Sequence, residues 1–307
     1  MPRVSICIPS YNPDYFEQAL RSALAQTYTD VEIIVSDDCP TDAIEKICQR
    51  YAGFLTYSRN PNPGPLTNLV RMMGLAQGEY IKFAFDDDIL NPFCVQFLLE
   101  ALEATRHQNT KLAFSPRYTI NSQGHFTNLI NAFQVSEGLK VISGRDFIWL
   151  TAMRHHNLIG EYSTVLFRRE DCFTSDGEFR LFDEKGLILP DLAAWLDIAQ
   201  RGAFVAHPQP LSYFRQHENA TSNPEKSPNF VHCILFHEKI LNSARERGYV
   251  TDKDLPEAYR NLANVYRYWA GTFPQLKDSI ERFESYAFGG FAPPLAANFQ
   301  AFASPKP

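Results

Sequence analysis

The sequence predicts an α/β chain: a mostly parallel sheet flanked by helices, followed by a helical appendage at the C-terminus. Three observations carry this. Short β-branched runs alternate with helical periodicity through the first part of the chain, those runs end in polar residues, and from about Pro224 the chain turns to helical spacings before an aperiodic end. Sheets of this kind bind ligands at the carboxyl ends of their strands, so the residues just after each run are the ones to inspect.

"RVSICIP" is β-branched, short and stopped by Pro9, and "YFEQALRSALAQ" places Phe16, Leu20, Ala23 and Leu24 at helical spacing. "VEIIVSDD" reads as the next strand. "TDAIEKICQRYA" follows as a helix, with Thr41 as N-cap, Glu45 near capping-box position and Ile44, Ile47 and Cys48 on its apolar face. "FLTYSRN" and "YIKFAF" are two further strands; between them "LTNLVRMMGLAQ" is a helix that Gly78 is expected to stop. "PFCVQFLLEALEA" is a helix with Asn91 as N-cap and Pro92 at its first position. In the appendage, "NFVHCILFHEKILNSARERG" and "PEAYRNLANVYRYWAGTF" are helical, and the stripe of Tyr259, Val265, Tyr266 and Trp269 reads as core packing. "GGFAPPLAANFQAFASPKP" has no sustained period and reads as a linker or frayed tail.

Composition excludes several classes. A formal charge of -6 over 307 residues gives no electrostatic reason for binding nucleic acid or an anionic membrane. Cys7, Cys39, Cys48, Cys94, Cys172 and Cys233 are scattered, with neither the CxxC spacing of a zinc site nor the density of a disulfide scaffold, which points to a reducing compartment. The N-terminus lacks signal-peptide organisation and no apolar run reaches the ~20 residues that span a bilayer, so a soluble, cytoplasmic chain is expected.

Three strand ends carry chemistry-capable groups: "PSYN", "SDDCPTD" and "FDDD". Asp37, Asp38 and Thr41 read equally well as helix caps. The run Asp86, Asp87, Asp88 is harder to explain as an ordinary loop, because adjacent carboxylates repel, and a divalent cation with hard oxygen ligands relieves that repulsion.

"VSICIPSYNPDYFEQALRSALAQTYTDVEIIVSDDCPTD" and "GLAQGEYIKFAFDDDILNP" resemble the opening and the acidic metal-binding (DXD) segment of family 2 glycosyltransferases, inverting enzymes of the GT-A (Rossmann-like) fold. The likeness continues through "GEYSTVLFRRED", "PDLAAWLDIAQRG" and "LSYFRQHENATS". It implies a GT-A domain over 1–222, with a nucleotide-sugar half to about 105 and an acceptor half from about 106, and a helical extension over 223–307.

The resemblance further implies a nucleotide-sugar donor bound with Mn²⁺ or Mg²⁺ and transfer to an acceptor hydroxyl with inversion. On it, Asp87 is the principal metal ligand, Asp88 and His217 assist, and Asp86 faces the ribose. Phe85 stands where many members have the first acid of the motif. Pro9, Tyr11, Asp38 and Asn68 belong to the nucleotide site: Tyr11 offers a ring for stacking on a pyrimidine and Asp38 an acceptor for the imino N–H of uracil or thymine, which cytosine lacks. Arg215 and His217 alternate onto one face of an extended segment, where Arg215 suits a pyrophosphate. Asp191 stands at the catalytic-base position, preceded by Pro190 where many members have an acid, with Asp197 a less favoured substitute; Glu161 borders the acceptor pocket.

The implied partners are the donor and a glycan or glycolipid acceptor in polysaccharide or glycoconjugate assembly, with peripheral contact at the inner face of the membrane if the acceptor is lipid-linked. A nucleotidyltransferase fits less well, since "CIPSYNPDYF" lacks the Gly-rich basic loop that cradles a triphosphate. An inactive nucleotide-sugar or glycan-binding module is the alternative from a different class.

Overall fold

The computed structural model of the chain describes residues 2–172, 190–218, 220 and 230–288. Its elements in chain order are β1 (Val4–Ser10), α1 (Pro13–Leu24), β2 (Val31–Asp37), α2 (Ala43–Gln49), β3 (Thr56–Arg59), α3 (Pro65–Leu75), β4 (Tyr80–Phe83), β5 (Ile89–Leu90), α4 (Cys94–Ala104), β6 (Thr110–Phe114), β7 (Arg117–Ile120), β8 (Phe126–Ile130), β9 (Lys140–Ile142), α5 (Gly144–Arg154), β10 (Val165–Arg168), α6 (Pro190–Ala199), β11 (Ala203–Ala206), β12 (Ser212–Arg215), α7 (Phe230–Glu246), α8 (Leu255–Trp269) and α9 (Lys277–Ala287).

Eight strands form the central sheet in the order β3-β2-β1-β4-β10-β6-β11-β9. The β3-β2-β1-β4 pairings and β11-β6 are parallel, while β10 and β9 run against their neighbours, so the sheet is mostly parallel. A second sheet, β5-β12-β7-β8, is short and pairs β5 with β12 antiparallel, Leu90 opposite Ser212 and Ile89 opposite Tyr213. Continued two residues, that register sets Arg215 across from Asp87.

The helical readings hold where periodicity carried them. In α1, Phe16, Ala19, Leu20 and Ala23 are buried, and Asn12 Oδ1 accepts from Asp14 N at 3.0 Å ahead of Pro13 at the first turn. Boundaries moved where a cap had been inferred. The N-cap of α2 is Asp42, and the Thr41 hydroxyl accepts from Ala43 N at 3.3 Å one residue earlier than expected. Likewise α4 begins at Cys94, because Asn91 Oδ1 spends itself on Phe93 N at 3.0 Å in the turn before it. Gly78 does not end α3, which stops at Leu75; a Cβ on Gly78 would stand 2.6 Å from Ser5 N, so close approach to β1 is what demands glycine.

The described residues divide into two compact units, one drawn from Met1–Phe147 and Asn157–Ser227 and the other from Ile148–His156 and Pro228–Pro307. The end of α5 joins the helical unit because His155 Nε2 donates to Ala258 O at 2.8 Å and Asn261 Nδ2 donates to Met153 O at 3.0 Å. Tyr259 and Tyr266 are core residues of that unit, each packed on Phe283. The 222/223 boundary and the 289–307 tail lie outside the described residues.

His155 and His237 approach to 6.2 Å between ring centroids in the helical unit, and burial pulls their pKa values from 6.5 down to about 4 and about 3. Between pH 6.5 and 4 an unfolded chain binds protons that these folded imidazoles refuse, so the pair withdraws stability as pH falls through that window. Accordingly, urea unfolding of His237→Leu should depend less steeply on pH between 6.5 and 4 than unfolding of the wild type; equal slopes would remove the pair from the acid response.

Candidate active site

The acidic loop follows β4, and each of its carboxylates meets a different environment. Asp86 Oδ2 accepts from Tyr11 N at 2.6 Å and Asn12 N at 2.8 Å, which ties the loop to the start of α1. Burial, with the charge of Asp87, pushes Asp86 up to about 6 against those two donors. Asp88 is turned inward, 2 % exposed, with Oδ1 accepting from Arg215 N at 3.1 Å and its side chain bonded to Ser163. Burial and the neighbouring Asp87 and Glu161 raise Asp88 well above the ordinary carboxylate range. Asp87 is the more open of the pair, and its Oδ2 lies 3.1 Å from His217 Nε2, whose ring packs on Tyr15.

Arg215 closes the loop from the other side. Its Nε donates to Asp87 O at 2.9 Å, Nη1 to Asn121 O at 3.2 Å, and Nη2 to Gln18 Oε1 at 2.9 Å, while the guanidinium sits 4.4 Å from the centroid of Tyr15. At 1 % exposure it is occupied with protein acceptors rather than facing a pyrophosphate, and β12 ends at Arg215, so His217 lies beyond the strand rather than alternating along it. The expected grouping of Asp87, Asp88 and His217 is likewise not assembled: among the described residues no three His, Cys, Asp or Glu side chains are placed to hold a metal ion. Asp88 is withdrawn by Arg215 and Ser163, which leaves Asp87 with His217. The Asp87 carboxylate is the hard oxygen donor that Mn²⁺ or Mg²⁺ takes, with remaining ligands ordinarily from water and substrate phosphates, and a neighbouring imidazole suits the transition metal Mn²⁺ better than Mg²⁺.

At the end of β2 two adjacent aspartates part ways. Asp37 is fully buried and structural: Oδ2 accepts from Arg59 Nη1 at 2.7 Å and Tyr57 Oη at 2.8 Å, and Oδ1 from Cys39 N at 2.7 Å. Asp38 accepts from Gly64 N at 3.0 Å through Oδ2, and its Oδ1 is buried without a hydrogen-bond partner. Asn68 donates to Ser36 O at 3.1 Å while its Oδ1, like Ser36 Oγ and Asn60 Nδ2, is also buried and unpartnered. Buried polar atoms left this way normally have a ligand or water to complete them. Pro9 lies on β1 across from Ser36 of β2, and the Tyr11 ring is 66 % exposed beyond it.

Asp191 opens α6. Oδ1 accepts from Leu192 N at 2.8 Å and Oδ2 from Asn157 Nδ2 at 2.9 Å. Burial raises it to about 6, with Glu161 adding to the rise and Arg117 opposing it. Glu161 in turn lies 2.9 Å from Arg117 Nε and feels the charge of Asp87, so it stands electrostatically between the base position and the acidic loop. Arg117→Met should leave Glu161 buried and unpaired, costing about 3–5 kcal/mol of stability; chemical denaturation showing a loss below about 1 kcal/mol would mean the pair is already neutral.

Lys82 was missed from the sequence. It is 0 % exposed in β4, with Nζ donating to Phe83 O at 3.0 Å and Ser163 O at 2.5 Å, and burial lowers its pKa. The signal was present: a lysine inside an otherwise apolar strand. Gln18, Tyr15, Ser163 and Asn157 carried no such mark.

A mostly parallel sheet with a carboxylate-rich carboxyl edge and a short second sheet folding the acidic loop closed is the architecture of GT-A glycosyltransferases. Residues 5–172 match the glycosyl transferase family 2 model, and the chain belongs to that family and is a glycosyltransferase. An uncharacterized protein of Mycobacterium tuberculosis is 30% identical over 230 residues, covering 72% of this chain and 69% of that protein. The uncharacterized glycosyltransferase EpsJ of Bacillus subtilis is 28% identical over 191 residues, 59% of this chain and 56% of its own. Among solved structures, S. aureus TarS in complex with UDP-GlcNAc superposes with a TM-score of 0.53 at 17% identity, covering 95% of this chain and 93% of that one. A Pyrobaculum calidifontis mannosyltransferase in complex with GDP-Man and Mn²⁺ gives 0.50 at 14% identity, covering 94% and 85%. Among the described residues no helix is long and apolar enough to cross a membrane.

Proposed function

We propose that the chain transfers a sugar, with inversion, from a uridine or thymidine diphosphate sugar to an acceptor hydroxyl of a glycan or glycolipid, in polysaccharide or glycoconjugate assembly. The observation that carries this reading is the separation of two carboxylate centres on one sheet edge. Asp87 stands beside His217, and a second, partly buried carboxylate, Asp191, is held near pH 6 by its surroundings, with Glu161 adding to the rise, at about the value a general base needs.

Asp87, with His217 beside it, would hold the divalent cation, which when bound supplies positive charge to the departing nucleoside diphosphate. Asp191 accepts the proton as the acceptor oxygen bonds to the anomeric carbon; the bond from that carbon to the β-phosphate oxygen breaks, and the nucleoside diphosphate leaves with the electron pair. Asp38 Oδ1 and the Tyr11 ring form the base subsite, and the unpartnered acceptor supports an imino N–H as its complement. Support from neighbours divides, since TarS is seen with UDP-GlcNAc and the Pyrobaculum enzyme with GDP-Man and Mn²⁺.

Calorimetric titration with UDP, dTDP, GDP and CDP, each with and without Mn²⁺, tests the reading. Manganese-dependent binding of UDP or dTDP, lost in Asp38→Ala, is the expected result. Preference for GDP would reassign the base subsite, and no binding of any nucleotide would favour the inactive-module alternative.

A further inference from the structure

We propose that Asn157 is a positioning residue that holds the Asp191 carboxylate in place as the base; this rests on the reading of Asp191 given above. Asn157 uses every hydrogen-bonding edge of its amide. Oδ1 accepts from Gly160 N at 2.9 Å, and Nδ2 donates to Gly160 O at 3.0 Å and to Asp191 Oδ2 at 2.9 Å. The two bonds to Gly160 permit only one orientation of the amide, because a flip would set N–H against N–H and oxygen against oxygen. Asp191 therefore always meets a donor, never the amide oxygen.

The turn that fixes Asn157 is itself locked. Gly160 has φ of +105°, and a Cβ there would stand 2.5 Å from the Arg117 guanidinium, so the position is closed to other residues. Trp195, one helical turn after Asp191 on α6, donates its Nε1–H to the same Gly160 O at 3.1 Å. Loop and helix are thus joined at two points, Asn157 to Asp191 and Trp195 to Gly160, and the carboxylate cannot rotate without breaking one of them. The charged and titratable groups facing Asp191 are Glu161 and Tyr162 from the same loop and Arg117 from β7, with Leu192 N–H from its own helix. Asn157 is the uncharged side-chain donor in that set. It favours the carboxylate form against burial, which raises Asp191 to about 6.

The direct test is the titration of Asp191 followed by carbon-13 NMR of carboxyl-labelled aspartate, with Asp191→Asn assigning the signal. Loss of a hydrogen bond to a charged acceptor in Asn157→Ala should raise the Asp191 midpoint by ~1 pH unit. Asn157→Asp, which keeps an acceptor for Gly160 N–H and covers a failure of the alanine variant to fold, should raise it further through like charge. Trp195→Phe loosens the same turn but leaves the donor, and should leave the midpoint unmoved. An unchanged midpoint in the Asn157 variants, or an equal shift in Trp195→Phe, overturns the proposal. Full turnover in Asp191→Asn would instead sink the base assignment, whatever the titration shows, and with it any positioning role for Asn157.

Discussion

Asp191→Asn should bind the donor nucleotide with wild-type affinity and lose turnover by ~10²-fold or more, the scale of a lost general base. The nucleotide side of the site is built from Tyr11, Asp38 and the acidic loop, none of which bonds to Asp191 in the structure. Stability gives a second reading of the same variant. The folded pKa of Asp191 stands at about 6, above its ordinary value of 3.8, so the stabilising effect of protonation is present below 3.8 and lost as pH rises through 6. At neutral pH the charge is a cost to the fold that asparagine removes, but its amide N–H then faces either Leu192 N or Asn157 Nδ2, so the two effects oppose and the melting temperature should change little. In the wild type, turnover should fall tenfold per unit as pH drops below about 6. A variant with near-normal transfer, or one that loses activity only because it melts early, would place the base elsewhere.

Asp87→Ala should remove the manganese-dependent part of nucleotide affinity and lower turnover by ~10²-fold or more, the consequence of several kcal/mol of lost leaving-group stabilisation. The fold should survive, because the Asp87 carboxylate touches His217 while the loop is held by its backbone oxygen on Arg215 Nε and by Asp86 on the amides of Tyr11 and Asn12. Asp88→Ala should behave differently. It strips the acceptor from Arg215 N and Ser163 inside the protein, so stability falls along with activity. If Asp87→Ala binds nucleotide with undiminished manganese dependence while Asp88→Ala does not, the two residues exchange roles.

Periodicity made the parallel half of the sheet, β1 to β4, and its helices legible, because the alternation of β-branched runs with the spacing of Phe16, Leu20 and Ala23 directly reflects which faces are buried, whereas β6, β9, β10 and β11 went unread. Caps were less legible: Thr41 and Asn91 do bond to backbone amides, yet one residue separates Thr41 from its helix and two separate Asn91 from its own, and local sequence does not encode those offsets. Within the site, charge clusters showed where chemistry sits but not how the labour divides. Asp37 and Asp38 are neighbours of one type, and only Arg59 and Tyr57, arriving on β3, make the first structural. Arg215 is the clearest instance. Its spacing from His217 suggested a phosphate ligand, whereas its partners, Gln18, Asn121 and the oxygen of Asp87, are distant in sequence and unreadable from the motif.

The strand order also constrains how the protein is made. β11 lies between β6 and β9, and β12 between β5 and β7, so the late strands are interior to sheets begun much earlier in the chain. Until residues through Arg215 have emerged during synthesis, β5 and β9 lack any partner strand, β6 has only β10, and the acidic loop lacks its closing bonds. Such non-local pairing pays its loop-closure entropy before any contact rewards it. A nascent chain that stops near residue 172, where the family match ends, therefore has β2 and β4 paired but β5 without a partner and open edges on β6, β7 and β9, with the acidic loop unclosed, a substrate for chaperones rather than for sugars.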